Sequence, residues 1–274
     1  MLIDTHAHVN FNAYKNDGQE VIKRALAGNT WLINAGSQFS TSARAVEIAQ
    51  NYQTGVWAAV GIHPIHLGSE RFQTQVDKNE AVKFETRAEK FETEKYQKLI
   101  ENKKAVAVGE CGLDYYHNEK NKKQQKELFI QQIDLAIKNN LPVIVHCRNA
   151  HNDVLEILRK KNRKYGKKLR GVIHSFSGRL AQARQYVEEL GFCLGFNGII
   201  TFARDYDKVL AEIGLENLLM ETDCPYLTPE PFRGKRNEPL YVRYVAEKLA
   251  EIKNISLVEV EKTTTQNARE LFGI

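Results

Sequence analysis

Seven side chains that can bind a metal ion or move a proton stand near the ends of apolar segments of the chain. They are His6, His8, His63, Glu110, His146, His174 and Asp223. Imidazole nitrogen and carboxylate oxygen, without thiolate, are a ligand set that zinc, manganese and magnesium all accept. The residue types therefore indicate divalent metal ions and leave the choice among these three open.

Six of these residues provide more ligands than one ion needs, because a catalytic zinc usually takes three protein ligands. In two-metal hydrolases the ions lie about 3.5–4 Å apart, and a carboxylate can bridge them. In the simplest arrangement, His6, His8 and Asp223 bind the first ion, and His146 and His174 bind the second. Glu110 bridges the two ions. Water activated by the ions would be the nucleophile, and Asp223 could take its proton as general base.

Eight short apolar runs are positioned to carry these side chains. We predict strands at Met1–Val9, Trp31–Ser37, Val56–Pro64, Ala105–Asp114, Pro142–Arg148, Gly171–Gly178, Phe192–Gly198 and Leu218–Pro225. Most are nearly continuous in apolar residues, as expected for parallel strands covered on both faces. Segments with helical period lie between them.

Eight strand–helix units in 274 residues match the size of a (β/α)8 TIM barrel, which takes about 250 residues. We predict an α/β fold of this type, a single domain over residues 1–274, with a doubly wound sheet as the alternative. Active sites of such barrels lie at the C-terminal ends of the strands, where all seven side chains fall. Residues two apart on a strand share a face, so His6 and His8 are expected to converge.

The segment Ile65–Lys104 is longer than a connection and one helix require. It is rich in Glu and Lys. We predict a helix near Ala88–Glu101 and an elaborated loop over Gly68–Asp77, on the face where the third strand ends.

Composition limits the class of protein. The net charge of +5 is mild. The sequence contains no run of about 18 apolar residues, so we expect neither a membrane span nor a membrane partner. The first residues lack the pattern of a secretory signal, and four cysteines in a chain of this length suggest reduced thiols. A cytoplasmic monomer is the expectation.

Seven motifs, in order along the chain, resemble those of the TatD-type metal-dependent deoxyribonucleases. They are His6–His8 after the opening Met-Leu-Ile-Asp, Gly61–Pro64, Val108–Tyr116, Pro142–Arg148, Ile173–Gly178, Glu221–Leu227 and Arg233–Pro239. The glutamate block around Glu110 and the Thr-Asp-Cys-Pro-Tyr block around Asp223 are the specific ones. The resemblance covers nearly the whole chain.

The resemblance implies a barrel related to the amidohydrolases and a nuclease that uses two divalent ions on DNA. The implied substrate is single-stranded or frayed DNA, often degraded exonucleolytically from a 3′ end. It assigns the metals to His6, His8, Glu110, His146, His174 and Asp223. It also places His63 near the scissile phosphate. Binuclear enzymes that open cyclic amides generally have a modified lysine where this chain has Glu110, so the resemblance to that branch is weaker. A carboxylate bridge is compatible with phosphodiester chemistry.

Further side chains on the same rim could contact the substrate. Arg233, Lys235 and Arg236 follow the last strand, and Arg148 follows His146. Guanidinium groups bind phosphate oxygens in a bidentate fork. Ser175 could donate a hydrogen bond.

Several other rim residues have two interpretations. Tyr115, Tyr116 and Tyr226 either stack on unpaired bases or serve only in packing. We expect His66, His117 and His151 to be ordinary loop histidines. Each of Cys111, Cys147 and Cys224 adjoins a proposed ligand and should point away from it, as a small apolar group.

Two other functions are compatible with these residues. One is hydrolysis of another ester or amide, of the aminoacyl-tRNA deacylase or lactonase type. The other is metal-dependent nucleic-acid binding without turnover, which the intact ligand set disfavours. Release of mononucleotides from DNA distinguishes the nuclease from the hydrolase of another ester or amide.

Overall fold

A parallel sheet that closes into a barrel forms the fold, seen in a computed structural model that describes residues 1–78, 81–86 and 88–274. The strands are β1 Leu2–Ala7, β2 Thr30–Ala35, β3 Val56–Val60, β4 Arg71–Gln75, β5 Ala81–Glu85, β6 Ala105–Asp114, β7 Val143–Arg148, β8 Gly171–Ile173, β9 Cys193–Phe196 and β10 Leu218–Met220. The helices are α1 Gly18–Ala27, α2 Phe39–Gln50, α3 Thr93–Ile100, α4 Lys122–Lys138, α5 His151–Tyr165, α6 Leu180–Arg184, α7 Asp207–Glu212, α8 Val242–Lys253 and α9 Leu257–Phe272.

The barrel strands follow one another in the order β1-β2-β3-β6-β7-β8-β9-β10, and neighbours pair in parallel. A bridge between Ala7 and Cys224 closes the ring. The His8 amide donates to the Cys224 carbonyl at 3.0 Å, and the Asp223 amide donates to the His6 carbonyl at 2.9 Å. The predicted (β/α)8 barrel is confirmed, and ring closure rules out the doubly wound sheet.

Apolar residues form two layers. A large cluster fills the space between strands and helices, and the side chains of Cys111, Cys147 and Cys224 belong to it, as predicted. A second cluster joins strand residues such as Ile33 and Ile144 to the end of α9. None of the helices in the described ranges is long and apolar enough to cross a bilayer.

Three strands end four or five residues earlier than predicted, whereas β1, β2 and β9 end only two residues earlier. β3, β8 and β10 stop at Val60, Ile173 and Met220 rather than at Pro64, Gly178 and Pro225. In two of them the backbone turns away from extended geometry soon afterwards, since Ser175 has φ of 45° and Asp223 has φ of 56°. Apolar patterning does not report such turns. As a result, His63, His174 and Asp223 lie just beyond strand ends and not within strands.

The segment after β3 also differs from its prediction. Where a loop was expected over Gly68–Asp77, β4 pairs antiparallel with β5 in a separate two-stranded sheet. The helix expected at Ala88–Glu101 is shorter, Thr93–Ile100. Ala88 has φ of 49°, which a right-handed helix does not allow.

Candidate metal centre

Two histidines at the end of β1 form the first part of the centre. The Nε2 atoms of His6 and His8 lie 3.0 Å apart, so the two rings converge. The Nδ1 atom of His8 lies 2.9 Å from the carbonyl oxygen of Ala35. Because a carbonyl oxygen only accepts, Nδ1 carries the proton, and the lone pair of a neutral His8 ring lies on Nε2 and faces the centre.

The carboxylate of Glu110, near the middle of β6, lies between two pairs of histidines. Its Oε2 atom is 3.4 Å from Nε2 of His6 and 3.8 Å from Nε2 of His8. Its Oε1 atom is 2.9 Å from Nδ1 of His146 and 3.7 Å from Nε2 of His174. Each carboxylate oxygen thus belongs to a different group of nitrogens, which is the geometry of a bridging ligand.

Asp223 completes the first group. Its Oδ1 atom lies 3.4 Å from Nε2 of His8 and 4.0 Å from Nε2 of His6. The amide of Asp223 is held by the His6 carbonyl, so the bond that closes the barrel also positions this carboxylate. The structure therefore brings together all six residues that were expected to bind metal.

Two carboxylates behind the histidines were missed by the sequence reasoning. Oδ2 of Asp114 lies 3.1 Å from Nε2 of His146, and Oε1 of Glu221 lies 3.0 Å from Nδ1 of His174. Such partners fix which ring nitrogen faces a metal. A signal was available, because Asp114 and Glu221 are carboxylates within the same blocks as Glu110 and Asp223.

The charges of these groups fit a divalent cation. Burial lowers the pKa of His6, which keeps its ring neutral. Burial alone would raise the pKa of Glu110, but the surrounding imidazoles of His63, His146 and His6 hold it well below its usual range. Neutral imidazole and ionised carboxylate are the forms that bind metals.

Carboxylates surround the second group of ligands, His146 and His174, and give this part of the centre a surplus of negative charge. Burial opposes protonation of His146, yet the carboxylates of Asp114 and Glu110 raise its pKa to about 9. Glu221 acts on His174 in the same way and raises its pKa to about 10. Carboxylates that draw protons onto buried imidazoles would also attract a cation there. The donor set therefore fits divalent ions in both groups.

His63 differs from the other histidines. Its Nδ1 atom accepts a hydrogen bond from the Ile65 amide at 3.1 Å. The neutral ring therefore carries its proton on Nε2, which lies 3.5 Å from Oε1 of Glu110. Burial lowers the pKa of His63 well below its usual value, so this ring presents a neutral N–H donor to the centre.

The residues that were expected to contact the substrate fall into two sets, one accessible to solvent and one engaged within the protein. Arg148 is exposed, and its guanidinium lies 4.0 Å from the ring centroid of Tyr116. The guanidinium of Arg233 lies 3.8 Å from the ring centroid of Phe202. Lys235 is exposed on the loop after β10, with its Nζ atom 5.1 Å from the ring centroid of Phe232. These three cations remain accessible at the rim.

Arg236 and Ser175 are engaged within the protein. Arg236 pairs with Asp17 and donates to the carbonyl of Ala13, so it ties the last loop to the first. Oγ of Ser175 accepts a hydrogen bond from Nδ2 of Asn197 at 2.9 Å. Its own hydroxyl proton is left for another acceptor.

The remaining rim residues differ in their exposure and in their hydrogen-bond partners. Tyr116 is 61% exposed, whereas the Tyr115 hydroxyl donates to Asp153 at 2.5 Å and Tyr226 is only partly exposed. His66 and His151 are buried, and His151 begins α5, so neither is an ordinary loop histidine. His117 is exposed, and its Nδ1 lies 2.8 Å from Oδ2 of Asp114.

Comparison with known proteins places this centre in a family. A family model described as TatD related DNase matches residues 3–273. The chain belongs to the TatD family. The metal-dependent hydrolase YabD of Bacillus subtilis is 40% identical over 277 residues, which cover 100% of both chains. The metal-dependent hydrolase BU355 of Buchnera aphidicola is 36% identical and covers 100% of this chain and 99% of its own.

A solved structure shows the same relation. YjjV, a TatD homologue from Escherichia coli, superposes with a TM-score of 0.85 at 30% identity, over 100% of this chain and 98% of its own. The resemblance seen in the motifs is confirmed. This TatD chain is thus a member of a family of metal-dependent hydrolases, and its histidine and carboxylate cluster is the candidate centre.

Proposed function

We propose that this TatD protein is a deoxyribonuclease that hydrolyses phosphodiester bonds with two divalent metal ions. The observation that carries the proposal is Glu110, whose two oxygens face separate groups of ligands. His6, His8 and Asp223 would hold one ion, and His146 and His174 the other. Zinc, manganese and magnesium all suit such ligands.

The surroundings of the centre support a phosphodiester substrate. Bound ions would lower the pKa of a water molecule and neutralise charge on the phosphate. Asp223, whose pKa stays below its usual value because nearby imidazoles outweigh the effect of burial, accepts a proton from the attacking water. The Nε2–H group of His63 donates a hydrogen bond to a phosphate oxygen or to the leaving oxygen.

Unpaired DNA ends are the substrate that the rim favours. Tyr116 is exposed beneath the Arg148 guanidinium, and such a pair can stack on a base and contact the backbone. Arg233 and Lys235 lie exposed on the loop after β10 and would bind neighbouring phosphates. We propose exonucleolytic release from single-stranded or frayed DNA. All four cysteines are free thiols, which favours a reducing compartment such as the cytosol.

The decisive experiment is a nuclease assay on protein stripped of metal, with magnesium, manganese or zinc added back separately. Single-stranded DNA labelled at the 3′ or 5′ end should be shortened only with metal, and the label shows the polarity. Glu110→Gln should abolish the activity, whereas Glu216→Gln, a surface carboxylate, should not. Failure to cleave with any metal would refute the nuclease and favour another ester or amide as substrate.

A second variant separates hydrogen-bond donation from metal binding. His63→Asn should lower turnover by about 10²–10³-fold, the usual cost of losing one donor to developing charge. Metal affinity, measured by calorimetry, should stay near that of the wild type because Nε2 of His63 carries a proton and is not a ligand. A parallel loss of metal would show that His63 binds an ion.

A further inference from the structure

A pocket of about 440 Å³ lies at the start of α5, between the loops that follow the neighbouring strands β7 and β8. Asn149 and residues 150–153 line it from the first loop, and Arg179 and Gln182 line it from the second. The same two loops begin beside His146 and His174. Asn149 comes three residues after His146, so their Cα atoms are at most about 11 Å apart. The pocket therefore adjoins the second group of metal ligands.

Backbone amides at the start of α5 face this pocket without acceptors. Ala150, the N-cap residue, makes no side-chain cap. The first amide bonded within the helix is that of Val154, which donates to the Ala150 carbonyl at 3.0 Å. The amides of residues 151–153 find no acceptor among the residues that the structure describes, as is common for the first turn of a helix. The 15-residue helix also places the positive end of its dipole here.

The buried ring of His151 supplies a further donor. Only 9% of the residue is exposed, and burial lowers its pKa to about 4, so the ring is neutral at pH 7. Its Nδ1 atom lies 3.2 Å from the hydroxyl oxygen of Tyr186 and 3.3 Å from Sγ of Cys147. A phenol and a thiol are both protonated at neutral pH, so Nδ1 accepts and Nε2 carries the proton. Within the described part of the chain Nε2 has no partner, which is rare for a buried polar atom.

This unpaired donor points toward the second loop of the pocket. A Cβ atom added to Gly178 would lie 3.0 Å from Nε2 of His151 and 2.9 Å from Oε1 of Gln182. The next residue, Arg179, is exposed. Its guanidinium forms no ion pair within residues 1–78, 81–86 and 88–274. A cation and a buried N–H group thus stand on the side opposite the free amides.

The carboxylate of Asp153 also lines the pocket, but its charge is compensated. Its Oδ2 atom accepts the Tyr115 hydroxyl at 2.5 Å and lies 2.8 Å from Nζ of Lys126. The groups that remain are donors that need an acceptor. Phosphate oxygens suit them, because helix N-termini bind phosphate through their amides and guanidinium binds it as a fork.

We propose that this pocket binds a second phosphate group of the substrate, next to the phosphate that is hydrolysed at the metal centre. This inference rests on the proposed phosphodiesterase function. The oxygens of the second phosphate accept from the amides of Asn152 and Asp153, from Nε2 of His151 and from Arg179. A terminal phosphate and the next internucleotide phosphate of a strand offer the same oxygens, and the substrates below distinguish them.

The kinetic test uses dinucleotides, which contain only the scissile phosphate unless a second one is added at the 5′ or the 3′ end. With added metal, a phosphate at one end should raise kcat/KM of the wild type by about 10–100-fold, the range for hydrogen bonds to a charged group. The end that gives the gain identifies the phosphate that the pocket holds. A trinucleotide without terminal phosphate shows whether an internucleotide phosphate serves equally well.

Two variants test the residues of the pocket. Arg179→Gln should bring the ratio of kcat/KM for phosphorylated and plain dinucleotides close to one. Asn152→Asp places a negative charge where the helix dipole stabilises it but where it repels phosphate. It should abolish the gain while the unfolding temperature stays at or above that of the wild type. Arg184→Gln removes the same charge at the end of α6, where Arg184 pairs with Glu212, and should keep the wild-type ratio.

Binding is also measurable without turnover, by amide NMR on the magnesium-loaded protein titrated with inorganic phosphate. The amide signals of residues 151–153 should shift to saturation in the wild type and in Arg184→Gln. The same signals should not respond in Asn152→Asp. This readout is local to the start of α5, so phosphate bound at the metal centre does not imitate it.

Either of two results would overturn the pocket alone: equal kcat/KM for plain and phosphorylated dinucleotides in the wild type, or amide signals of residues 151–153 that ignore phosphate. Failure of the wild type to cleave these substrates and longer DNA would instead overturn the phosphodiesterase proposal. The NMR titration would then decide on the phosphate site by itself.

Discussion

At the residue scale, Glu221 determines which nitrogen of His174 faces the centre. Its Oε1 atom accepts the Ser175 amide at 2.7 Å and lies 3.0 Å from Nδ1 of His174. We expect Glu221→Gln to weaken metal binding by about 10–100-fold, the usual effect of losing such a partner, with the barrel folded. Titration calorimetry measures this, with Glu216→Gln as the matched control. Equal affinity in both variants would show that Glu221 does not orient the ring.

Another buried histidine, His151, makes stability depend on pH. Burial lowers its pKa from 6.5 to about 4, so the unfolded chain takes up a proton before the folded protein does. The resulting stability is fully present above pH 6.5 and is lost as the pH falls toward 4. The difference amounts to about 3 kcal/mol in the free energy of unfolding.

Urea unfolding measured across this acidic range tests the effect. His151→Gln cannot titrate there, so its free energy of unfolding should fall less steeply with decreasing pH than that of the wild type. Parallel curves for the two proteins would contradict the assignment. The comparison uses slopes because Gln alters the packing against Tyr186 and Phe176 at every pH.

At the element scale, the last helix shows how local sequence sets the ends of an element. Oγ of Ser256 accepts the Glu259 amide at 3.2 Å at the start of α9, and Gly273 ends the helix with φ of 71°. Both ends follow from residue type, because serine is a preferred N-cap and glycine readily adopts the positive φ that ends a helix. Ser256→Ala should cost about 1 kcal/mol of stability, measured by urea unfolding. Ser256→Asn, which can still cap, should lose little, and an equal loss in both would contradict the capping role.

The same scale shows where sequence patterning stops being informative. β6 was predicted with its observed bounds because it is a continuous buried run. β4 was missed because Arg71–Gln75 alternates exposed and half-buried residues around a single aromatic ring, a pattern that polar loops share. Strand ends near Ser175 were misplaced because a positive φ leaves no trace in hydrophobicity.

The centre was predictable to a similar extent. Five of the six expected ligands come together because they lie near or just beyond the C-terminal ends of strands, which barrels align, whereas Glu110 joins them from near the middle of β6. Asp114 and Glu221 were missed because they act through a histidine, and periodicity carries no information on ring orientation. Arg236 lies on the expected loop, but its partner Asp17 is 219 residues away in sequence, so its engagement depends on the closed ring.

At the scale of the whole molecule, metal binding should stabilise the barrel. The centre joins β1, β6 and β7 to residues just beyond β8 and β10, so bound ions connect strands on several sides of the ring. At ion concentrations about 1,000 times the dissociation constant, binding contributes about 4 kcal/mol. Chelation should therefore lower the unfolding temperature by roughly 10 °C.

Differential scanning calorimetry with and without chelator measures this shift. Glu110→Gln should show a much smaller shift, because it lacks the bridging carboxylate. An unfolding temperature that does not respond to chelator in the wild type would mean that the cluster holds no ion under those conditions.

Closure of the ring between Ala7 and Cys224 also determines when the centre can exist during synthesis. His6 and His8 leave the ribosome first, and Asp223 follows more than two hundred residues later. At 5–20 residues per second, that interval is roughly 10–40 s. Nascent chains interrupted before Asp223 therefore carry an incomplete ligand set, and the cell gains an active hydrolase only from chains whose translation has nearly finished.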